Sequence, residues 1–258
     1  MRLEIAVDMT YDLNGTTALL AVEAAQLPGQ VLHASDLTVE GAEVKRIEGE
    51  DGIGSRIWLE VPGNRMNLSY RATADLNRAP VTLATLPATH PRDLPGRVLC
   101  YLRPSRFCQA DQFGSYVERR FGNHEGGARV AAIRDWVHNE LSYVPGASNA
   151  MTTVMDTFAA REGVCRDYAH MVCALARAGG IPARYAAVYA PGVEPPDFHA
   201  VAQVWLDGAW HIVDATGMAD ASDAVLIAVG RDACDTAFME TDQGATMVEQ
   251  SVRVTAAG

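Results

Sequence analysis

Cys165, His199 and Asp214 carry a thiol, an imidazole and a carboxylate, the three groups that nucleophilic acyl transfer by cysteine requires. Cys165 follows Gly163-Val164 and precedes an apolar stripe at helical spacing, which predicts that it lies at or near the N-terminus of a helix. Unpaired backbone N–H groups at such an end carry partial positive charge, which favours a thiolate and a developing oxyanion. Taken alone, a cysteine is more often a small buried apolar residue.

A hairpin is expected to bring His199 and Asp214 together. Asp207-Gly208 is a typical two-residue turn between two alternating strands, and this register places Val201 opposite Asp214. His199 and Asp214 then lie diagonally on one face, within reach of a hydrogen bond. Such a carboxylate would fix the tautomer of the ring and stabilise an imidazolium, which would in turn hold a thiolate. The alternative is a strand histidine and a loop aspartate without chemical roles.

The elements that must position these residues form two groups along the chain. Up to about residue 80, apolar and polar residues alternate, as at Leu3, Ile5 and Val7, which predicts strands with one buried face. We therefore expect residues 1–80 to form an N-terminal antiparallel β-sandwich domain, in which Asn14-Gly15 makes a tight hairpin turn.

Frequent prolines predict a Pro-rich linker over residues 81–104. Beyond it, apolar residues recur at helical spacing, and the last predicted helix runs from near Cys165 to Gly179-Gly180. Three strands are predicted to follow, over 183–189, 199–206 and 210–214. Helices followed by strands describe an α+β catalytic domain over residues 105–258, and we interpret its acidic C-terminal stretch as solvated surface.

Composition and charge exclude several classes of protein. The chain has 258 residues, of which 48% are apolar, so it can form a packed core and is not disordered. The net charge of −11 disfavours a nucleic-acid partner, and no apolar run approaches the roughly 18 residues of a membrane helix. The first residues contain no secretory h-region, so we expect a cytoplasmic protein whose five cysteines are reduced.

The order of these motifs resembles the transglutaminase-like superfamily of papain-related enzymes. The separations, 34 residues from Cys165 to His199 and 15 from His199 to Asp214, also resemble that family. The similarity is carried mainly by three segments, GVCRDYAH (163–170), PDFHA (196–200) and WHIVDAT (210–216). Flanking segments similar to bacterial members are YLRPS (101–105), WVH (136–138) and YVPG (143–146).

The resemblance implies a papain-like, transglutaminase-like catalytic domain in which Cys165 is the nucleophile, His199 the general base and acid, and Asp214 the orienting carboxylate. The implied reaction is cysteine-dependent acyl transfer on an amide of a peptide or protein through a thioester, with hydrolysis by a peptidase or amidase as the leading hypothesis. The alternatives are a transglutaminase that joins glutamine to a primary amine, and a protein-binding module that keeps the fold without turnover. Neither a cofactor nor a metal ion is expected.

Three points stay open at the level of the sequence. Gln109, Asn149 and Tyr143 are candidate side-chain donors to an oxyanion, and nothing in their spacing selects one. Gly217-Met218 stands where many bacterial relatives have a basic residue, so their substrate preference cannot be carried over. The oligomeric state has no recognisable pattern, because an interface and a core look alike in sequence.

Overall fold

Residues 1–257 are described by a computed structural model, and within this range the chain forms three four-stranded antiparallel sheets, a two-stranded parallel pair and four α-helices. Short 3₁₀ turns join several of these elements. Strands come first, helices follow, and strands end the chain. The predicted α+β class with an N-terminal β-sandwich is confirmed.

The strands and helices fall into three successive blocks of six elements. The first block contains the strands β1 (Arg2–Leu13), β2 (Thr17–Leu20), β3 (Gln30–Val39), β4 (Glu43–Glu48), β5 (Ser55–Glu60) and β6 (Arg65–Leu76). The middle block forms α1 (Gly114–Phe121), α2 (Gly126–Glu140), β7 (Ser142–Tyr143), α3 (Val154–Ala160), β8 (Glu162–Gly163) and α4 (Cys165–Ala178). The last block contains the strands β9 (Ala183–Tyr189), β10 (His199–Leu206), β11 (Ala209–Val213), β12 (Val225–Gly230), β13 (Met239–Thr241) and β14 (Ala245–Ala256).

Two sheets form the sandwich, with strand orders β14-β1-β6-β3 and β13-β2-β5-β4. Side chains of both sheets belong to one apolar cluster. On β1, Leu3, Ile5 and Val7 are buried in this cluster, whereas Glu4 and Asp8 are exposed. Because successive side chains of a strand point to opposite faces, the alternation read from the sequence corresponds to the two faces of this sheet.

The predicted hairpin at Asn14-Gly15 is wrong. β1 and β2 lie in different sheets, so the turn carries the chain from one layer of the sandwich to the other. Gly15 is not among the glycines with positive φ. A Cβ at this position would lie 2.2 Å from a carboxylate oxygen of Asp242, so glycine here permits close approach of another segment instead of a tight turn.

The C-terminal strands return to the sandwich, which differs from the expected division of the chain. β14 pairs antiparallel with β1, from Leu3↔Ala256 to Leu13↔Ala245, and β13 pairs with β2. The segment 105–258, expected to be one catalytic domain, therefore contributes its last two strands to the N-terminal sheets. The acidic C-terminal stretch is part of a sheet, and most of its β14 side chains are exposed or half-buried.

The third sheet, β11-β10-β9-β12, supports α4, which packs against β9 and β10. β9, β10 and β12 are buried along their whole length. The predicted hairpin between β10 and β11 is confirmed, because Asp207 and Gly208 both have positive φ and Ala202 pairs with Val213. This register is the one from which the proximity of His199 and Asp214 was predicted.

Residues 81–104 are a packed connection, although the prolines suggested a linker. They contain three short 3₁₀ turns, and Leu94 and Val98 pack with Trp205 of β10. The carbonyl of Leu86 accepts the N–H of Gly127 near the start of α2 at 2.8 Å. The connection therefore covers part of the third sheet and contacts the helical layer.

Apolar contacts and hydrogen bonds join the sandwich to the third sheet. Tyr189 of β9 and Ile227 of β12 belong to the apolar cluster of the sandwich. The hydroxyl of Tyr189 donates to the Val22 carbonyl at 2.6 Å, and the side chain of Gln30 bonds to both the N–H and the carbonyl of Leu226. These contacts pack the two parts directly against each other.

Gly54 provides a test of this packing. It has a φ of +71°, and a Cβ there would lie 1.9 Å from the carbonyl oxygen of Ile227 in β12. We expect Gly54→Ala to lower the free energy of unfolding by about 3 kcal/mol, because the positive φ and the backbone clash both oppose the methyl group.

Gly63→Ala is the matched control for Gly54→Ala. Gly63 also has a positive φ, +78°, but its Cβ position faces open space among the described residues. The control should therefore lose only about 1 kcal/mol. Urea unfolding measures both variants, and equal losses would show that Gly54 does not contact β12.

Candidate active site

Cys165 is the first residue of α4, in agreement with the predicted helix. Asp167 holds the turn before it, since its carboxylate accepts the N–H of Val164 at 2.9 Å and the hydroxyl of Ser148 at 2.6 Å. Gly163 permits this turn, because a Cβ there would lie 2.6 Å from the Cβ of Asp167. The N–H of Cys165 has no intrahelical acceptor and lies at the positive end of the helix dipole.

His199 and Asp214 meet at the open end of the β10–β11 hairpin. Nε2 of His199 is 3.0 Å from Oδ2 of Asp214, which is a hydrogen bond. Their side chains are 0% and 4% exposed, so the pair is buried. The diagonal contact predicted from the Asp207-Gly208 turn is therefore present in the structure.

Asp214 receives further hydrogen bonds from the turn that follows β11. Thr216 donates to Oδ1 through its N–H and its hydroxyl, each at 2.8 Å, and the N–H of Ala219 donates to Oδ2 at 2.9 Å. Burial raises the pKa of Asp214, but His199 and Thr216 outweigh burial and hold the pKa below its usual value. Sequence reasoning missed this role of Thr216, although Asp-x-Thr is a spacing typical of side chain-capped turns.

His199 is a charged ring in a dry environment. Burial lowers the pKa of His199, but interactions with Asp214 and with the nearby Cys165 thiol outweigh burial and raise the pKa to about 9. Because Nε2 faces Asp214, Nδ1 is the nitrogen left for the thiol, and it is buried with no hydrogen-bond partner among residues 1–257. The site therefore presents a protonated imidazole to the sulfur at neutral pH.

Tyr143 is a fourth polar group beside Cys165. β7 and β8 pair in parallel with Tyr143 opposite Gly163, and the N–H of Val144 donates to the Gly163 carbonyl at 2.9 Å. This pairing holds Tyr143 next to the turn that leads into α4. Burial and the Cys165 thiol raise the pKa of Tyr143 to about 12, against the opposing effect of the Cys165 backbone N–H, so the hydroxyl keeps its proton.

The other two candidate oxyanion donors, Gln109 and Asn149, form hydrogen bonds with backbone groups two or three residues away. Nε2 of Gln109 donates to the carbonyl of Arg106 at 2.7 Å. Oδ1 of Asn149 accepts the N–H of Met151 at 2.8 Å. None of the three candidates lines the cleft at Cys165. Tyr143 is the candidate that interacts with the thiol, because Cys165 contributes to the raised pKa of its hydroxyl.

A cleft of about 590 Å³ opens at Cys165, between the helical layer and the sandwich. The sandwich contributes Tyr11 of β1 and Gln250 of β14 to its wall. The hydroxyl of Tyr11 donates to Oε1 of Gln250 at 2.7 Å, and Nε2 of Gln250 donates to Oδ1 of Asp197 at 2.7 Å. Asp197 lies two residues before His199, so these hydrogen bonds connect the sandwich to the segment that carries the histidine.

The remaining cysteines differ from Cys165 in their surroundings. Cys108 and Cys173 are fully buried, and burial raises the pKa of both, that of Cys173 to about 12. Cys100 and Cys234 are exposed. Cys234 lines the same cleft as Cys165, but its thiol contacts the guanidinium of Arg106 at 3.8 Å instead of an imidazole.

His170, close to Cys165 in sequence, has a structural position. Its Nε2 accepts the N–H of Ala233 at 3.0 Å, and its ring stacks on Phe107 at a centroid distance of 5.5 Å. Burial holds its pKa well below the usual value, so the ring is neutral. Within residues 1–257, no group of three or more His, Cys, Asp or Glu side chains is arranged to hold a metal ion. In the same range, no helix is both long enough and apolar enough to span a membrane.

The fold and the site define a papain-like α+β class. In this class, a helix begins at a cysteine and packs on an antiparallel sheet that carries a histidine and an aspartate. Residues 116–215 match the family model of the transglutaminase-like superfamily. A solved structure similar to this chain is that of a proposed cysteine protease from Cytophaga hutchinsonii, with 34% identity, a TM-score of 0.92 and coverage of 99% of this chain and 90% of that one. The chain belongs to the transglutaminase-like superfamily.

Two mycobacterial relatives match a shorter part of the chain. The uncharacterized protein ML0607 of Mycobacterium leprae is 29% identical over 167 residues, which cover 60% of each protein. The uncharacterized protein Rv2569c of Mycobacterium tuberculosis is 26% identical over 201 residues, which cover 67% of this chain and 62% of that protein. The chain thus spans about 60% of the length of these relatives.

The charge of His199 can be tested by its titration. We expect the wild-type ring to lose its proton with a midpoint near pH 9. Asp214→Asn removes the anionic partner, so the midpoint should fall to about 6.5 or below. Because the folded pKa lies above the unfolded value, the proton stabilises the fold below about pH 6.5, and this contribution is lost as the pH rises through about 9.

Nitrogen-detected NMR of the imidazole measures this midpoint. Asp220→Asn is the matched control, because Asp220 lies in the same loop but accepts hydrogen bonds from Ser222. It should leave the titration of His199 unchanged. The same midpoint in wild type and Asp214→Asn would show that the pair does not carry the charge.

Proposed function

We propose that this protein catalyses cysteine-dependent acyl transfer on amide bonds of a peptide or protein, with water as the final acceptor. The observation that carries the proposal is the buried His199–Asp214 pair beside a cysteine that begins a helix and opens on a cleft. Membership of the transglutaminase-like superfamily and the likeness to a proposed cysteine protease support it. A cytoplasmic location stays a prediction, which cell fractionation can test.

In the first half-reaction, the Cys165 thiolate attacks the carbonyl carbon of the amide, and a C–S bond forms. His199, held by Asp214, gives its Nδ1 proton to the amide nitrogen as the C–N bond breaks. The amine leaves neutral, the acyl group stays on sulfur as a thioester, and His199 becomes a neutral base.

In the second half-reaction, neutral His199 takes a proton from water while the water oxygen attacks the thioester carbonyl. The C–S bond then breaks, the carboxylic acid is released, and thiolate and imidazolium are restored. A primary amine in place of water would give a new amide, which is the transglutaminase alternative. Release of amine or ammonia without incorporation of a labelled amine distinguishes hydrolysis from this alternative.

We assign stabilisation of the carbonyl oxyanion to the backbone N–H of Cys165 and the hydroxyl of Tyr143. The N–H lies at the free end of α4, and the hydroxyl, which keeps its proton, lies beside it. Donors fixed before the reaction stabilise developing charge without reorganising at the moment of attack. The β7–β8 pair holds the turn before Cys165 and thereby positions both donors beside the thiol.

Selective alkylation of Cys165 tests the proposed nucleophile. At pH 7, iodoacetamide should modify Cys165 at least about 10-fold faster than Cys234. Both thiols line the cleft, but Cys165 is the one that lies near the protonated imidazole of His199. His199→Ala should remove most of this difference. Mass spectrometry after brief labelling of the native protein measures both rates. Equal rates at Cys165, Cys100 and Cys234 would overturn the proposal.

The oxyanion assignment has its own test. Tyr143→Phe should lower kcat/KM for amide hydrolysis by about 10²-fold, since the loss of one oxyanion donor has an effect of this order. Alkylation of Cys165 by iodoacetamide forms no oxyanion, so its rate should change much less.

Tyr168→Phe is the matched control for Tyr143→Phe. The ring of Tyr168 is 5.9 Å from that of Tyr143, but its hydroxyl donates to the carbonyl of Leu141 at 2.8 Å. The kcat/KM of Tyr168→Phe should stay close to that of the wild type. If Tyr143→Phe lowers the rates of hydrolysis and of alkylation by the same factor, Tyr143 acts on the reactivity of the thiol and does not stabilise the oxyanion.

A further inference from the structure

Arg106 and Arg166 line the cleft at Cys165, and within residues 1–257 neither has a carboxylate partner. Among the described residues, nine of the twenty arginines form ion pairs, and Arg106 and Arg166 are among the eleven that form none. The chain as a whole is acidic, with 32 Asp and Glu against 21 Lys and Arg. Two uncompensated guanidiniums beside the thiol therefore give this part of the cleft a charge opposite to that of the chain.

Arg106 is held in place by weak acceptors and an aromatic ring. Its Nη1 is 3.8 Å from Sγ of Cys234, and its Nη2 is 3.6 Å from Sδ of Met151. Its Cζ lies 5.1 Å from the ring centroid of Phe107. Because sulfur is a weak acceptor, these contacts orient the guanidinium but do not neutralise it. An anion that entered the cleft would replace weak contacts with a charged one.

Arg166 is the second residue of α4 and follows the proposed nucleophile directly. It donates to the backbone carbonyls of Asn149 and Thr152, the latter at 3.2 Å, and its Cζ lies 4.5 Å from the ring centroid of Phe107. Backbone carbonyls are neutral, so the charge of Arg166 is also uncompensated. The positive end of the α4 dipole adds to the same field.

The acidic groups of the cleft lie elsewhere on its wall. Glu240 belongs to β13 of the sandwich, whereas Asp197 lies in the segment before His199 and accepts a hydrogen bond from Gln250 of β14. Within residues 1–257, neither is ion-paired with Arg106 or Arg166. Both acids of the cleft therefore leave the charges of Arg106 and Arg166 uncompensated by an ion pair.

Asp232, the acid nearest to Phe107, is also unavailable to these arginines. Its Oδ2 accepts the N–H of Phe107 at 2.8 Å, and its Oδ1 accepts the N–H of Cys234 at 2.9 Å. It is buried beneath the wall that it supports. Its hydrogen bonds fix the backbone of Phe107 and Cys234, two of the three residues that contact Arg106.

We propose that Arg106 and Arg166 form a carboxylate-binding subsite, so that the substrate is a peptide with a carboxylate close to the amide that Cys165 attacks. This inference rests on the proposed acyl-transfer function and adds the class of its substrate. The carboxylate can belong to an Asp or Glu side chain or to the C-terminus of the peptide, because both offer two oxygens to a guanidinium.

The charge of an alkylating reagent separates this subsite from the reactivity of the thiol. Iodoacetate and iodoacetamide react in the same way, since the thiolate forms a C–S bond and iodide leaves, but iodoacetate carries a carboxylate. The quantity to measure is the rate of Cys165 alkylation by iodoacetate divided by the rate with iodoacetamide. We expect Arg106→Gln to lower this ratio by about two- to five-fold, because that is the effect of a solvent-accessible ion pair. Raising the salt concentration should reduce the wild-type ratio in the same direction.

Two variants serve as controls for Arg106→Gln. Arg106→Lys keeps the positive charge and should retain most of the wild-type ratio. Arg103→Gln removes the same charge three residues away, at an exposed position outside the cleft, and should leave the ratio unchanged. Arg166 is the less suitable position for a first variant, because its side chain also holds the loop at Asn149 and Thr152.

Peptide substrates identify the source of the carboxylate. One pair carries Glu or Gln next to the scissile amide, and a second pair has a free or an amidated C-terminus. The wild type should prefer the carboxylate in one pair by kcat/KM, and Arg106→Gln should reduce that preference by about two- to five-fold. The pair that responds shows which carboxylate the subsite binds.

The outcomes separate the subsite from the function on which it rests. In the first outcome, Cys165 stays the fast-reacting thiol, but wild type, Arg106→Gln and Arg103→Gln have the same ratio of iodoacetate to iodoacetamide rates. The subsite proposal is then wrong and the proposed function stands. If Cys165 reacts no faster than Cys234 with either reagent, the proposed nucleophile and the subsite are both wrong.

Discussion

The buried pair of opposite charges formed by His199 and Asp214 is the strictest constraint on this fold. Transfer of an ion into a protein interior costs several kcal/mol, and an unpaired charge there would be neutralised by proton transfer. The chain keeps both charges because the N–H and hydroxyl of Thr216 and the N–H of Ala219 also donate to Asp214. These donors lie on the turn after β11, so the register of the strands and the shape of the turn must both be correct. A slip of one residue would move Asp214 to the other face of the sheet.

The start of α4 has to meet this pair, and apolar packing brings the two together. Ala169 of α4, Tyr185 of β9 and Ala200 of β10 form a small buried cluster, and Cys165 packs against it. The helix start and the hairpin end are thus held by the same contacts that bury the helix. Because the β7–β8 pair fixes the turn before Cys165, the sulfur, its backbone N–H and the Tyr143 hydroxyl are oriented before any substrate arrives.

Local signals predicted where Cys165, His199 and Asp214 lie in the fold, and long-range pairing limited the prediction of the rest. The helix start at Cys165 and the hairpin at Asp207-Gly208 depend on neighbouring residues, so the sequence alone indicated both. The pairing of β14 with β1 joins residues more than 230 positions apart, and the local alternation of Val252 and Val254 with polar residues does not indicate the partner strand. The Asn14-Gly15 hairpin failed for a related reason, because Gly15 accommodates Asp242, a contact that no local pattern reveals.

The proposed reactive groups and the wall of the cleft come from separate parts of this molecule. The proposed nucleophile, base and orienting carboxylate lie on α4 and the β10–β11 hairpin, whereas Arg106 precedes the helices and Tyr11 and Gln250 belong to the sandwich. The return of β14 to β1 is what places Gln250 beside Asp197 at the cleft. Because the shared core already fixes the sandwich against the third sheet, a change at the cleft wall can alter the shape of the cleft without moving His199 or Asp214. The sandwich therefore forms one wall of the cleft at Cys165.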